Sequence, residues 1–323
     1  MNIMYKSTRG DKNYLTASQA IVKGIADDGG LYVPDTMPKM DFQLEDILSW
    51  DYRELAYRVL RLVLTDYTEE ELRHCINSAY DEKFDTPLIA PLAVNNKGNF
   101  LELFHGRTIA FKDMALSILP YLLKTAAVKN GVSEKIVILT ATSGDTGKAA
   151  LEGFADVEGT KIIVFFPEEG VSDVQKAQMV TQKGANTCVA GIRGNFDDAQ
   201  TAVKRIFTDN ELKAELKERG YVFSSANSIN IGRLAPQIVY YFYAYGQMVK
   251  AGKINMGDKI NFTVPTGNFG NILAGYYAKN MGLPVNKLIC ASNDNKVLYD
   301  FFGTGSYDIN RDFIVTVSPS MDI

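Results

Sequence analysis

The sequence has few of the side chains that metal sites and disulfide frameworks need. Its 323 residues include two histidines and three cysteines, and Cys75, Cys188 and Cys290 show no CxxC spacing. No metal site is expected, because the usual nitrogen and sulfur ligands are so scarce. The odd number of cysteines favours a reducing compartment over a disulfide-stabilised fold.

Excess positive charge and long hydrophobic runs are also lacking. The net charge of -4 argues against a nucleic-acid partner, because nucleic-acid-binding domains usually carry a basic face. The longest apolar stretch, Ile238 to Tyr245, is far shorter than the roughly 18 residues that indicate a membrane span. The amino-terminal MNIMYKSTRGDK has no signal-peptide core. We therefore expect a cytoplasmic protein that binds neither nucleic acid nor membranes.

What is present is typical of a globular chain, with 46% hydrophobic and 22% charged residues. Helical patterns dominate residues 1–90, and strands alternate with helices after them, which predicts an α/β fold with mainly parallel strands behind an N-terminal helical lobe. Strands are predicted at Ile136–Leu139, Ile162–Phe166, Thr187–Ala190, Val222–Ser224, Ile260–Val264 and Lys287–Ala291. Helices are predicted at Leu44–Leu64, Phe111–Asn130, Gly147–Ala155, Ser172–Gln182, Asn195–Phe207, Ile231–Ala251 and Gly270–Met281. Pro120 and Pro236 should kink their helices or mark helix starts.

Two β-branched runs each end in a glycine-containing loop that opens a helix. The loops are TSGDTG at 142–147 and TGNFG at 266–270. Glycines at such a junction let backbone N–H groups approach an anion, and the helix N-terminus adds partial positive charge. The pair suggests a ligand with two anionic parts, while a purely structural turn is the alternative for each loop. TSGDTGK is not a nucleotide P-loop, because Thr142 and Ala149 stand where that motif requires glycine and a hydroxyl residue.

The segment FHGRTIAFKD places Lys112 after an apolar run and at a helix start. Burial and the helix-end potential both disfavour an ammonium there and lower the pKa of the lysine. A neutral lysine amine is a nucleophile that bonds to the aldehyde of pyridoxal 5'-phosphate. The alternative is a solvated lysine in a first helical turn.

A third polar stretch, SSANSINIGR, brings Asn230 and Arg233 to one face of a helical turn. A guanidinium in this place is suited to bidentate phosphate binding. The alternative is a helix cap followed by a surface arginine.

With these pieces in this order, the chain closely resembles the threonine synthases, a family of fold-type II pyridoxal-phosphate enzymes. The resemblance covers nearly the whole chain and is carried by YKSTRG, ADDGGLYVP, FHGRTIAFKD, TATSGDTGKAA, ANSINIGR, VPTGNFGNILAGYYA and SMDI. It implies a cofactor-binding α/β domain over residues 91–141 and 226–323 and a smaller mobile substrate domain over 142–225. Relatives commonly continue beyond SMDI, where a hydroxyl partner for the pyridine nitrogen usually lies. We therefore expect the cofactor-binding domain to be C-terminally incomplete.

The resemblance also assigns roles to individual residues. Lys112 is implied to be the catalytic residue and to carry the cofactor. The cofactor phosphate is expected on Gly267, Asn268, Phe269, Gly270 and Asn271, with Asp145 near the phenolic oxygen. Substrate contacts are expected from Ser143, Gly144, Thr146, Asn230 and Arg233. Two positions depart from many relatives, which have Pro at the place of Arg107 and Asp at the place of Asn271.

The implied activity is that of a lyase in threonine biosynthesis, which converts O-phospho-L-homoserine and water into L-threonine and inorganic phosphate. Lys112 is expected to move protons at the α, β and γ carbons, and phosphate leaves from the γ carbon. A monomer or homodimer is expected. The alternatives are a related phospho-lyase that acts on another phosphorylated amino alcohol, and an anion-binding fragment without catalytic activity.

Overall fold

The computed structural model describes residues 2–308, 310, 311, 314, 316–318 and 321. The N-terminal lobe contains β1 (Tyr5–Ser7), α1 (Ala17–Lys23), β2 (Tyr32–Pro34), a 3₁₀ helix (Leu44–Leu48), α2 (Tyr52–Val63) and α3 (Glu69–Ala79). β1 and β2 form an antiparallel pair. The predicted helix Leu44–Leu64 is interrupted, because Asp51 accepts a hydrogen bond from the N–H of Glu54 and caps a new helix there.

A short hairpin and two helices surround Lys112 in the sequence. The hairpin strands are β3 (Leu92–Asn95) and β4 (Gly98–Leu101), and the helices are α4 (Asp113–Leu116) and α5 (Leu119–Lys129). β3 and β4 are antiparallel. The predicted helix Phe111–Asn130 is two helices, and Pro120 lies in the first turn of the second, where its missing N–H has no partner to lose. Pro120 thus marks a helix start, one of the two roles predicted for it.

A four-stranded parallel sheet forms the next unit. It contains β5 (Lys135–Ala141), α6 (Asp145–Phe154), β6 (Thr160–Pro167), α7 (Asp173–Val180), β7 (Thr187–Ile192), α8 (Phe196–Thr208), α9 (Asn210–Glu218) and β8 (Tyr221–Ser225). The strand order is β7-β6-β5-β8. Ile136 and Ile138 face the main core, whereas Val137 and Leu139 face a separate core with Phe207 of α8. This alternation follows from the two-residue period of a strand.

The last unit packs around one long helix. It contains α10 (Ile231–Lys250), β9 (Ile260–Pro265), α11 (Gly270–Met281), β10 (Val285–Ala291) and α12 (Val297–Thr304). β9 and β10 are parallel. All residues of α10 from Ile231 to Gly246 are buried, and Pro236 lies inside this helix rather than at its start. Within the described residues, no helix is long and apolar enough to span a membrane.

The observed architecture confirms the α/β fold class and the six predicted strands, within a few residues at their ends. Strand pairing bears on the predicted domain division, because β5 lies between β6 and β8. β5 lies before the predicted boundary at residue 141, and the two strands that it pairs with lie after it. The division into a cofactor-binding and a mobile domain stays a prediction.

Candidate functional site

Lys112 directly precedes α4, and its side chain is 8% exposed. The Nζ atom lies 4.8 Å from the centre of the Phe111 ring and 3.5 Å from Oδ2 of Asp145. Burial lowers the pKa of Lys112 to about 8, against the opposing effect of Asp145, and the positive charge of Arg233 lowers it further. The predicted lowering of the pKa is confirmed, and a solvated lysine is excluded.

Two hydrogen bonds from Thr108 to the Asp113 carboxylate stabilise the turn that contains Lys112. The backbone N–H of Thr108 donates to Oδ2 of Asp113 at 2.8 Å, and the Thr108 hydroxyl donates to Oδ1 at 2.5 Å. Gly106 packs so closely on this carboxylate that an added Cβ would lie 2.5 Å from Asp113 Cβ. The lysine is therefore held by a turn that requires a small residue at position 106.

The loop at 142–147 is organised by the hydroxyl of Thr142. Its Oγ1 accepts hydrogen bonds from the N–H groups of Gly144 at 2.9 Å and Gly147 at 2.8 Å. Gly144 has φ +145°, a conformation that favours glycine. Two glycine N–H groups are thus already bonded to Thr142 and are not available to an anion, contrary to the interpretation of this loop from the sequence.

Asn230 caps α10 and binds protein groups through its amide. Its Nδ2 donates to the carbonyls of Ile21 and Ser225, both at 3.0 Å, and its Oδ1 accepts from the N–H of Gly232 at 2.8 Å. The side chain is fully buried. This is the capping role given above as the alternative, and a substrate contact by Asn230 stays a prediction.

Arg233 is a cation in the protein interior. It is 4% exposed, its Nη1 donates to the Ala226 carbonyl at 3.0 Å, and its buried Nε has no hydrogen-bond partner among the described residues. Burial lowers the pKa of Arg233 to about 10. In the part of the chain that the structure describes, no carboxylate forms an ion pair with it. A surface arginine is excluded, and the orphaned donor indicates a place for an anion.

One cavity of about 470 Å³ brings most of the predicted residues together. Its wall includes Lys112, Asp145, Arg233, Gly267, Asn268, Gly270 and Asn271. Ser143, Gly144, Thr146, Asn230 and Phe269 are not part of this wall. The wall also includes Ser228, from the polar stretch before Arg233, and residues to which no role was assigned, namely Leu101, Leu103, Phe111, Gln237, Pro265, Val317, Ser318 and Met321. A larger cavity of about 640 Å³ lies between α1, α9 and β8 and contains none of the predicted residues.

A buried hydrogen-bond network connects the second loop to Arg233. The hydroxyls of Tyr240 and Tyr241 donate to Oδ1 of Asn271 at 2.6 and 2.9 Å. Tyr240 also lies 3.2 Å from Oε1 of Gln237, whose Nε2 donates to the Arg233 carbonyl at 3.0 Å. In the sequence the tyrosines of α10 belong to its longest apolar stretch, and nothing in that pattern predicts that their hydroxyls bind Asn271.

Arg107 lies outside the cavity wall. Its Nη1 is 3.3 Å from Oε1 of Glu152 on α6, which also binds Lys148 at 3.2 Å. Arg107 therefore connects the turn before Lys112 to α6. The described residues contain no group of three or more histidine, cysteine, aspartate or glutamate side chains that could hold a metal ion.

Comparison with known proteins decides the family. A family model described as pyridoxal-phosphate dependent enzyme matches residues 84–321, and one described as threonine synthase N terminus matches residues 4–80. The solved threonine synthase structure from Escherichia coli is 31% identical, with a TM-score of 0.84, and the match covers 99% of this chain and 71% of that chain. The chain belongs to the threonine synthase family.

Three further relatives are more similar to this chain in sequence than the Escherichia coli enzyme, and all three are longer than this chain. The one from Pseudomonas aeruginosa is 43% identical over 99% of this chain and 66% of its own length. The solved structure of PLP-bound threonine synthase from Brucella melitensis has a TM-score of 0.86 and 40% identity, with coverage of 99% and 67%. Human threonine synthase-like 1 is 44% identical over 95% of this chain and 42% of its own length. The chain thus spans about two thirds of these synthases and less than half of the synthase-like protein.

Proposed function

We propose that the chain binds pyridoxal 5'-phosphate and acts in the conversion of O-phospho-L-homoserine and water into L-threonine and inorganic phosphate. The observation that carries this proposal is the joint placement of Lys112, Arg233 and the second glycine loop around one cavity. A nucleophile with lowered pKa, an interior cation that has no carboxylate partner among the described residues, and a helix N-terminus meet there. The names of the similar synthases support threonine as the product.

The residues present fit the cofactor. Lys112 supplies a buried amine whose pKa of about 8 makes the reactive neutral form accessible near that pH. Gly267 and Asn268 precede α11, and Gly270 opens it, so backbone N–H groups and the helix-end charge are suited to a phosphate. When bound, the cofactor supplies an electron-withdrawing ring that stabilises negative charge at the substrate carbon beside it.

In this proposal, Lys112 is the general base and acid of the reaction. Once its amine is free, it takes the proton from the α carbon of the substrate and returns protons at the carbons further along. Asp145, 3.5 Å from Nζ, favours the protonated form and so helps the amine to hold a proton between these transfers. A group that must accept and release protons functions best with a pKa near the working pH.

Arg233 is proposed to bind the phosphate that leaves from the γ carbon. Its Nε, which has no hydrogen-bond partner in the described part of the chain, gives a charge-assisted hydrogen bond to an anion, and the buried position strengthens that bond. Asn230 supports this role by capping the helix on which Arg233 lies.

Ser143 and Gly144 lie directly before α6, Thr146 lies in its first turn, and all three are outside the cavity wall. We propose that they reach the substrate when residues 142–225 move toward Lys112. Such a closure would exclude water until the step in which it adds at the β carbon.

The first test is cofactor binding and phosphate release by the purified chain. The bond between cofactor and lysine should give a visible absorption band that is lost in Lys112→Ala and kept in Lys148→Ala, because Lys148 is paired with Glu152 outside the cavity. O-phospho-L-homoserine should release phosphate and yield threonine. A band that survives in Lys112→Ala would contradict the role of this lysine. Phosphate release from another phosphorylated amino alcohol, without threonine formation, would replace the proposed substrate.

The proposal includes a cytoplasmic protein that acts as a monomer or homodimer on a small molecule. Cys75, Cys188 and Cys290 are all free thiols, in keeping with a reducing compartment. Size-exclusion chromatography with light scattering measures the oligomeric state, and a stable assembly larger than a dimer would contradict this part of the proposal.

A further inference from the structure

The carboxylate of Asp145 is contacted by an amide that sequence reasoning did not single out. Nε2 of Gln175, at the start of α7, donates to Oδ1 of Asp145 at 2.8 Å. The other oxygen, Oδ2, is the one that lies 3.5 Å from Nζ of Lys112. Gln175 and Lys112 thus bind the two oxygens of one carboxylate.

The orientation of the Gln175 amide is determined by its second partner. Ser172 donates to Oε1 of Gln175 with its backbone N–H at 3.4 Å and its hydroxyl at 3.2 Å. Because a carboxamide oxygen accepts and its nitrogen donates, these two donors turn the NH₂ group toward Asp145. Gln175 is 7% exposed, so this arrangement is shielded from competing water.

Packing removes the remaining freedom of the Gln175 side chain. An added Cβ on Gly144 would lie 2.3 Å from Cδ of Gln175, so the amide rests directly on the backbone of the residue before Asp145. The loop at 142–147 therefore has a conformation that depends on glycine at position 144 and on the amide that fills the space above it.

From this geometry we propose that Gln175 is a positioning residue, which holds the Asp145 carboxylate against the amine of Lys112 and thereby sets the proton affinity of that amine. The inference deepens the proposed function, because it concerns the same lysine. It does not depend on cofactor or substrate, because the three side chains are in contact without either of them.

The physical consequence is an effect at a distance from the amine. Asp145 stabilises the protonated form of Lys112. The Asp145 side chain is 30% exposed, so its carboxylate can turn toward water when Gln175 no longer holds it. Loss of the Gln175 donor should increase the mean distance between Asp145 and Lys112. The amine should then lose its proton at a lower pH.

The test measures acetylation of Lys112 by acetic anhydride in the full chain freed of cofactor, over a range of pH, quantified by mass spectrometry of the peptide that contains it. Only the neutral amine reacts, so the midpoint of the rate profile reports proton loss. Asp145→Asn should lower the midpoint by about one pH unit, because an opposite charge at this distance is removed. Gln175→Met should lower it by a smaller amount. The double variant should match Asp145→Asn alone, since Gln175 acts through Asp145.

A matched control separates positioning from helix capping. Gln19 has the same capping-box role at the start of α1, where its Oε1 accepts from the Thr16 N–H at 3.0 Å. Gln19→Met should leave the Lys112 midpoint unchanged. Should Gln175→Met fail to fold, Gln175→Asn, one methylene too short to reach both Ser172 and Asp145, should give the same downward shift.

Two results would overturn the proposal. One is a midpoint in the folded Gln175 variant equal to that of the parent chain. The other is a double variant whose shift is the sum of the two single shifts. An inactive protein with the expected shifts would instead reject the proposed function and leave the role of Gln175 intact.

Discussion

Lys112 has to fold in an environment that disfavours its charge. Its pKa in the folded chain is about 8, against the ordinary lysine value of 10.5. Below pH 8 both folded and unfolded chains carry the proton, and the buried ammonium destabilises the fold. Between these two pKa values the unfolded chain binds more protons, so stability rises with pH.

The substitution Lys112→Met should therefore stabilise the cofactor-free chain at pH 7. The free energy of unfolding should rise by about 2–3 kcal/mol, and most of this gain should be absent at pH 10. Urea denaturation at the two pH values measures the difference. Lys124→Met, at a half-exposed lysine, is the control and should change little. An equal gain at both pH values would mean that charge burial is not the cause.

Arg233→Met should weaken phosphate binding because the cavity loses its interior cation. Loss of a charge-assisted hydrogen bond is worth about 1.5–3 kcal/mol, so inhibition by inorganic phosphate should weaken by about tenfold to a hundredfold. Arg107→Met is the matched control, because that guanidinium is paired with Glu152 outside the cavity wall. Similar losses in both variants would argue for a general effect of positive charge.

At the residue scale, sequence reasoning predicted the residues that lie in recognisable motifs and missed those that support them. Lys112 and Arg233 stand in FHGRTIAFKD and ANSINIGR, and both lie on the cavity wall. Gln175 is 30 residues from its partner Asp145, and Tyr240 is 31 residues from Asn271. Such contacts depend on how separate elements pack, which no local pattern contains.

At the scale of elements, α10 has the longest continuous run of buried residues among the described helices, from Ile231 to Gly246. Gly246 on this helix lies against Ile47, and an added Cβ would be 2.7 Å from its Cγ2 atom. Gly303 on α12 has open space around it. A larger side chain would therefore clash at position 246 and fit at position 303, although both positions are helical.

Gly246→Ala should destabilise the chain by about 1–3 kcal/mol, because the added methyl group overpacks the core. Gly303→Ala should stabilise it by up to about 1 kcal/mol, because alanine is the better helix former. Thermal denaturation of both variants measures the difference. A Gly246→Ala variant as stable as the parent would contradict the prediction and would mean that the Ile47 side chain can move aside.

The sequence pattern failed to predict α9 and the break between α4 and α5, and each failure has a physical reason. α9 has no buried residue, so its sequence NELKAELKE shows only a weak apolar stripe. The helix Phe111–Asn130 was predicted as continuous because its apolar pattern does not break where the chain turns before Pro120. Periodicity reports burial, and it is least informative where a helix lies on the surface or bends within the core.

For the whole molecule, burial predicts an order of local stability. Opening of α10 exposes a large part of the main core, whereas α9 has no buried residue of its own to expose. Hydrogen exchange followed by mass spectrometry should find the slowest amides in α10 and much faster exchange in α9. Equal protection in the two helices would indicate that the chain opens as one cooperative unit.

The fold class was predictable at this scale because the alternation of strand and helix patterns persists over two thirds of the chain. The grouping of strands into sheets was not. β5 precedes the first glycine loop in sequence, yet it pairs with β8 across more than eighty residues. The pairing is decided by the packing of both sheet faces, one against the main core and one against α8.

The distribution of thiols offers a molecular ruler. Cys188 is exposed on β7 in the four-stranded sheet, Cys290 is partly exposed on β10 beside the proposed phosphate loop, and Cys75 is buried with its pKa raised to about 11. Maleimide dyes should therefore label the first two and spare the third. Energy transfer between such dyes would report the separation of the two sheets in the native chain, so the proposed movement of residues 142–225 can be followed without introducing any cysteine.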